Sequence, residues 1–178
     1  MRIIGISGKA TAGKDTVANY FSRYCKGKCT TIHFADSLKD CCQGLLLAFG
    51  TYDMSKQETK KLIIPWMGKS YTVRNLLQDV GNAFRDYINP DFWVNIIIGK
   101  IAVLKQNNYI DTVLIPDVRY PNEYKAIKDL GGEVWRVERP NIELMDHISE
   151  TVLDDYTFDK VISNTGTLTD LMKSVQNL

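Results

Sequence analysis

The sequence predicts an α/β fold in which a five-stranded parallel sheet carries helices on both faces. Three observations predict it. Short apolar or β-branched runs alternate with segments of helical period along the chain. A glycine-rich turn joins the first apolar run to the first helical segment. Strands separated by helices require crossover connections, which lay helices over both faces of a parallel sheet.

The elements follow in order. Residues 2–7 form a short apolar run that reads as a buried strand. Residues 14–25 carry Val17, Ala18, Phe21 and Tyr24 at helical spacing. Residues 30–34 are β-branched and aromatic, a second strand. Residues 37–49 are helical by period, with Leu38, Cys41, Cys42, Leu45 and Leu46 on one side. Residues 50–72 are irregular and rich in lysine, and read as a mobile surface lobe. Two helices are expected over 73–88 and 91–106, separated by Pro90, which breaks a helix. Residues 112–115 form a third strand. A helix over 121–130 stops at Gly131 and Gly132. Strands over 133–137 and 160–163 precede a last helix over 167–175, where Thr167 and Asp170 resemble a capping box.

At 178 residues the chain fits one domain, with a small helical lobe inserted roughly over 36–95. The 22 Lys and Arg residues nearly balance the 21 Asp and Glu residues, a formal charge of +1. A dedicated nucleic-acid binder would show a basic excess, so no stable nucleic-acid partner is expected. No stretch approaches the ~20 apolar residues that cross a bilayer, and the start lacks a secretory pattern. Cys25, Cys29, Cys41 and Cys42 suit neither a disulfide framework nor a zinc site, since only His33 and His147 could assist. Reduced thiols in a cytoplasmic protein are expected.

The strongest motif is Gly8-Lys9-Ala10-Thr11-Ala12-Gly13-Lys14-Asp15-Thr16. It follows a strand and opens a helix, the context of a phosphate-binding P-loop. Gly8 and Gly13 permit backbone angles that turn consecutive amides inward. The helix start adds positive dipole, and Lys14 adds an ammonium for the terminal phosphates of a nucleotide. Asp15 stands where Ser or Thr commonly ligates magnesium. Either Asp15, directly or through water, or Thr16 is expected at the metal.

A second motif ends the third strand: Pro116-Asp117-Val118-Arg119. In open parallel sheets, ligands bind beyond the carboxyl ends of the strands. Asp117 is the candidate to hold magnesium or its waters. Arg119 is the candidate to neutralise a phosphoryl group in transfer. For an anionic acceptor, further cations are needed. Lys39, beside Asp36, follows the second strand. Arg74, Gln78 and Asn82 share a helix face by i, i+4 spacing, with Arg85 nearby. Trp93 could stack on a base, against the alternative that it is core. Asn164, Thr165 and Gly166, after the last strand, stand where an adenine ring could rest. Arg136 and Arg139 flank the fourth strand. His147, followed by Glu150, reads as structural, because a phosphate acceptor needs no base.

The chain resembles the deoxynucleoside monophosphate kinases of tailed bacteriophages, within the P-loop nucleoside monophosphate kinase group. The likeness rests on GKDTVAN at 13–19, HFADSLK at 33–39, LLQDVGNAFRDYINPDFWVN at 76–95, PDVRYPNE at 116–123, GGEVWRVERP at 131–140, DHISE at 146–150 and FDKVISNTGTLTDL at 158–171. It implies transfer of the ATP γ-phosphoryl group to a dNMP, giving dNDP and ADP, with Mg²⁺. Under it, Gly8, Lys9, Ala12, Gly13, Lys14, Asp15, Thr16, Asn164 and Gly166 face the donor. Lys14, Arg119 and Asp117 are catalytic, with Asp15 and Asp117 at the metal. Asp36, Lys39, Arg74, Gln78, Arg85 and Trp93 face the acceptor, and residues 119–124 form a short lid. The location implied is a host cytoplasm if the gene is viral, and oligomeric state stays open, a homodimer included. Rival readings are a P-loop kinase of another phosphorylated acceptor, of the phosphomevalonate or dephospho-coenzyme A type, a nucleotide-dependent ATPase switch, and a nucleic-acid 5′-kinase.

Overall fold

Five strands run parallel in the order β2-β3-β1-β4-β5 in the computed structural model, which describes residues 1–140, 151–176 and 178. The chain divides into two compact units, 1–33 with 97–178, and 34–96. His147 and Glu150 lie outside the described residues.

The first unit holds the sheet. β1 (Arg2–Ser7) is central, and Ile3, Ile4 and Ile6 are all buried, as a strand covered on both faces requires. Ile4 and Ile6 pack with Val17, Phe21, Trp135 and Leu171, which places α1 (Lys14–Tyr24) and α7 (Leu168–Gln176) on one face. α6 (Pro121–Asp129) covers the other at Gly5, where an added Cβ would stand 2.6 Å from Cδ1 of Ile127. Burying each such aliphatic side chain stabilises the unit by ~1.5–3 kcal/mol. Thr167 and Asp170 do cap α7: each side chain accepts the other's backbone N–H, at 2.9 and 3.3 Å.

Some boundaries differ from expectation. β2 is Cys29–Thr31, shorter and earlier than 30–34, because the chain is already turning into α2 (Asp36–Leu46). β3 is Thr112–Val118, three residues longer than expected. Its pairing with β1 slips between Gly5 and Ser7, which face Ile115 and Val118. That bulge takes up Pro116, which has no N–H for a regular ladder. β4 is Glu133–Glu138 and β5 Lys160–Ser163.

In the second unit, the expected surface lobe over 50–72 is corrected. It contains α3 (Gln57–Lys60) and a 3₁₀ turn, and it buries Met54 and Ile64 against Cys42, Leu46, Val73 and Leu76. Leu45, expected on one side of the helix with Cys42 and Leu46, is 58% exposed, whereas those two are buried. The single helix expected over 73–88 is α4 (Val73–Ala83) followed by a π turn, Phe84–Ile88, closed by Asn89 N–H on the Phe84 carbonyl at 3.0 Å. α4 begins with a capping box: the Thr72 hydroxyl accepts from Asn75 N–H, and the Asn75 side chain accepts from Thr72 N–H at 2.9 Å. α5 (Phe92–Gln106) starts in this unit and ends in the first.

Candidate active site

The glycine loop leaves β1 and enters α1. Gly8 has φ +148°, Thr11 +63° and Gly13 +104°. An added Cβ on Gly8 would stand 2.6 Å from the Val137 carbonyl oxygen, and one on Gly13 2.8 Å from Nδ2 of Asn164. Both positions therefore require glycine for space as well as angle. Gly13 brings no side chain over the start of α1, where the dipole favours an anion.

Lys14 is buried, 6% exposed, and its ammonium donates to the carbonyls of Gly8 and Lys9, each at 2.7 Å. A buried ammonium held by carbonyl dipoles inside a turn built on glycines at positive φ is a positive centre shaped for a polyanion. The Asn164 side-chain amide donates to the Ala12 carbonyl at 2.8 Å, and its backbone N–H donates to Glu138 O at 2.7 Å. Asn164 thus supports the loop from β5. Gly166 serves the start of α7, since a Cβ there would stand 2.7 Å from an Asp170 oxygen. Arg139 donates to Thr11 O at 3.4 Å.

The Asp15 carboxylate is 78% exposed and lies 3.8 Å from Nε2 of His33. Thr16, next to it, is half-buried, and so is Asp117 at the end of β3. These are hard oxygen donors, the type magnesium takes. Magnesium beside a nucleotide is held by one or two carboxylates, with phosphates and water completing it. Accordingly no group of three or more His, Cys, Asp or Glu is needed, and none occurs among the described residues. The donor chemistry fits the ion.

Arg119 follows β3. Its backbone N–H and that of Tyr120 donate to one Glu123 carboxylate oxygen, at 2.7 and 3.0 Å, and Glu123 is buried. Residues 119–124, expected as a lid, are instead the capped start of α6. The sequence signal for this was present in Tyr120-Pro121-Asn122-Glu123, where proline opens a helix and an acid answers its first amides.

A cavity of about 720 Å³ adjoins the loop. Lys9, Ala12 and Arg139 line it, with Tyr156, Phe158 and Thr165. The sequence marks Arg139 only as a flank of the fourth strand and gives no sign of Asp154, which also lines the cavity. No local pattern marks Asp154, because its partners lie far away along the chain.

The second unit carries the other candidates. Lys39 pairs with Asp36 at 3.6 Å. Arg74 donates to the Gln57 side chain at 3.0 Å, Arg85 donates to Asn82 at 3.3 Å, and Gln78 is exposed. Trp93 is corrected. It is 4% exposed, packs against Phe84 and Phe92, and donates from Nε1 to the Gly81 carbonyl at 3.1 Å. That is core, with no open ring face for a base.

A parallel sheet whose first strand runs through a glycine loop with a buried lysine defines a P-loop nucleotide-binding protein. A model of the deoxynucleotide monophosphate kinase family matches residues 49–175. A protein of Acanthamoeba polyphaga mimivirus named for the same activity is 32% identical over 186 residues, covering 98% of this chain and 94% of that one. The deoxynucleotide monophosphate kinase of Enterobacteria phage T4 is 30% identical over 109 residues, covering 60% of this chain and 45% of the phage protein. The chain belongs to the deoxynucleotide monophosphate kinase family. Among solved structures, a dephospho-CoA kinase from Campylobacter jejuni aligns over 99% of this chain and 94% of its own, with a TM-score of 0.49 and 14% identity. No helix among the described residues is long and apolar enough to cross a membrane.

Proposed function

We propose that this kinase transfers the γ-phosphoryl group of ATP directly to the 5′-phosphate of a deoxynucleoside monophosphate. The observation that carries the reading is the Lys14 ammonium, buried in the glycine loop on the carbonyls of Gly8 and Lys9. Triphosphate oxygens replace those carbonyls as its partners when the donor binds. Gly8, Lys9, Ala12, Gly13 and Thr16 shape the same cradle, and Asn164 keeps it in place. The donor nucleoside lies in the adjoining cavity, against Arg139 and the turn at Thr165 and Gly166.

An acceptor phosphate oxygen attacks the γ-phosphorus. A new P–O bond forms, the bond to the β–γ bridging oxygen breaks, and its electron pair leaves with ADP. No base is required, because a phosphate monoester is already largely dianionic near neutral pH. Catalysis comes from alignment and charge neutralisation. Arg119 neutralises the group in flight. Asp117 and either Asp15 or Thr16 would hold Mg²⁺, which would offset charge on the phosphate oxygens. The second unit binds the acceptor. Lys39, oriented by Asp36, and Arg74 and Arg85 supply positive charge, and Gln78 offers a hydrogen-bonding amide to a base edge. The near-balanced charge fits an enzyme acting on small nucleotides, and the viral and phage relatives fit one that works in a host cytoplasm.

The test is an ADP-coupled assay across the common dNMPs and NMPs. The expected result is ATP- and Mg²⁺-dependent turnover stimulated by deoxynucleotides. ATP hydrolysis that no nucleotide monophosphate stimulates would overturn the reading.

A further inference from the structure

One guanidinium joins the glycine loop to the wall of the donor cavity. Arg136, near the end of β4, is 8% exposed. It donates to the hydroxyl of Ser7, the residue just before the loop, at 3.3 Å, and makes a short bond to the Asp154 carboxylate. Its guanidinium carbon lies 5.3 Å above the ring of Phe158. The other Asp154 oxygen stands 3.6 Å from the ammonium of Lys9, the second residue of the loop. Asp154 therefore faces two cations that belong to two different walls of one pocket.

The rest of that wall is pinned to α6. The Tyr124 hydroxyl donates to Thr157 O at 2.5 Å, and the Tyr124 ring meets Tyr156 and Phe158 edge-on, at 5.0 and 6.0 Å between centroids. The segment that presents Asp154 is thus held independently of the loop. An almost fully buried guanidinium must keep an anionic partner, because leaving it unpaired is costly. Here the partner is also the group that orients Lys9.

We infer that Asp154 is a positioning residue for the ATP site, acting through Arg136 and Lys9 to fix the start of the glycine loop against the cavity wall. This rests on the donor site proposed above. Asp154 itself carries the wrong charge to touch a phosphate. Its effect reaches the donor only through the two cations it aligns, so it governs donor binding and leaves the acceptor unaffected.

The test is steady-state kinetics of Asp154→Asn with ATP and a dNMP varied separately, on protein whose fold is checked by circular dichroism. The expected result is a KM for ATP raised about tenfold, with kcat lowered less than about threefold and the KM for the dNMP unchanged. Asp154→Glu, which restores the charge, should recover most of the loss. If Asp154→Asn does not fold, Arg136→Lys carries the test, since two separate guanidinium nitrogens serve Ser7 and Asp154, and the shorter, unforked lysine does not reproduce that geometry. It should show the same selective rise for ATP. An unchanged KM for ATP, or KM values for ATP and dNMP that rise together, would overturn the inference while wild-type turnover still stands. Wild-type protein that shows no saturation by ATP would overturn the functional reading, and this inference with it.

Discussion

The side-chain amide of Asn164 donates to the carbonyl of Ala12 at 2.8 Å, tying the turn after β5 to the glycine loop 152 residues earlier. That amide also fills the space a Cβ on Gly13 would enter. Asn164→Asp would set a carboxylate against a carbonyl, two acceptors with no proton between them. Asn164→Ala is expected to weaken ATP binding about tenfold, and Asn164→Asp more. Isothermal titration with a non-hydrolysable ATP analogue measures both. Equal affinity in wild type and variants would show that the loop keeps its shape without this support.

Lys14 is expected to act on the reaction rather than on the fold. Its partners are two carbonyls at the loop, and Lys9 O also accepts from Ala12 N–H at 3.2 Å, so its removal leaves that turn bonded. Lys14→Ala should lower transfer by about 10²–10³-fold while the melting temperature stays close to wild type. Unchanged turnover would remove Lys14 from the mechanism.

Arg119 follows β3, and its backbone is fixed by Glu123. A cation that serves the group in flight counts more in the transition state than in the ground state. Arg119→Ala is therefore expected to lower kcat by about 10³-fold or more, with a smaller change in the KM for ATP. The reverse pattern would make Arg119 a ground-state binder.

What was legible in the sequence was local. The loop, β1 and the α7 cap each declare themselves within ten residues, because glycine angles, apolar runs and capping pairs act at short range. The end of β3 was not legible, because whether a strand continues through Pro116 depends on a bulge against β1. Trp93 was ambiguous for a related reason. Helical period gives the face it stands on, but not what that face meets. Met54 and Ile64 lie in an irregular stretch with no period to betray them as core. Arg136 and Asp154 form an ion pair, with only the guanidinium buried, whose members belong to different segments, and nothing in the local pattern of either names the other.

Trp93 and Gly81 give a test of that correction. The indole N–H donates to the Gly81 carbonyl at 3.1 Å, and a Cβ on Gly81 would come within 3.1 Å of Leu38 Cδ2. Trp93→Phe is expected to destabilise the protein by about 1–3 kcal/mol through the lost bond and cavity, with the KM for the acceptor unchanged. Urea unfolding and steady-state kinetics together check it. A large rise in acceptor KM at unchanged stability would restore Trp93 as a stacking surface.

Asp159 supplies a pH dependence. Its carboxylate accepts from Val134 N–H at 2.7 Å and from the Lys128 ammonium at 2.7 and 2.9 Å, joining β4 to α6. Burial pushes its pKa up, but the Lys128 bond and the Val134 amide outweigh it and hold the group below its ordinary value of 3.8. A carboxyl whose folded pKa is depressed adds stability that is complete above the unfolded value and is lost as pH falls through the folded one. Asp159→Asn is expected to lower stability at pH 7 by about 1 kcal/mol. The gap to wild type should hold down to about pH 5 and close as the pH drops below about 4. Urea titrations at pH 7, 5 and 3 measure it; a gap of constant size would mean that Asp159 contributes through packing and neutral hydrogen bonds, not through its charge.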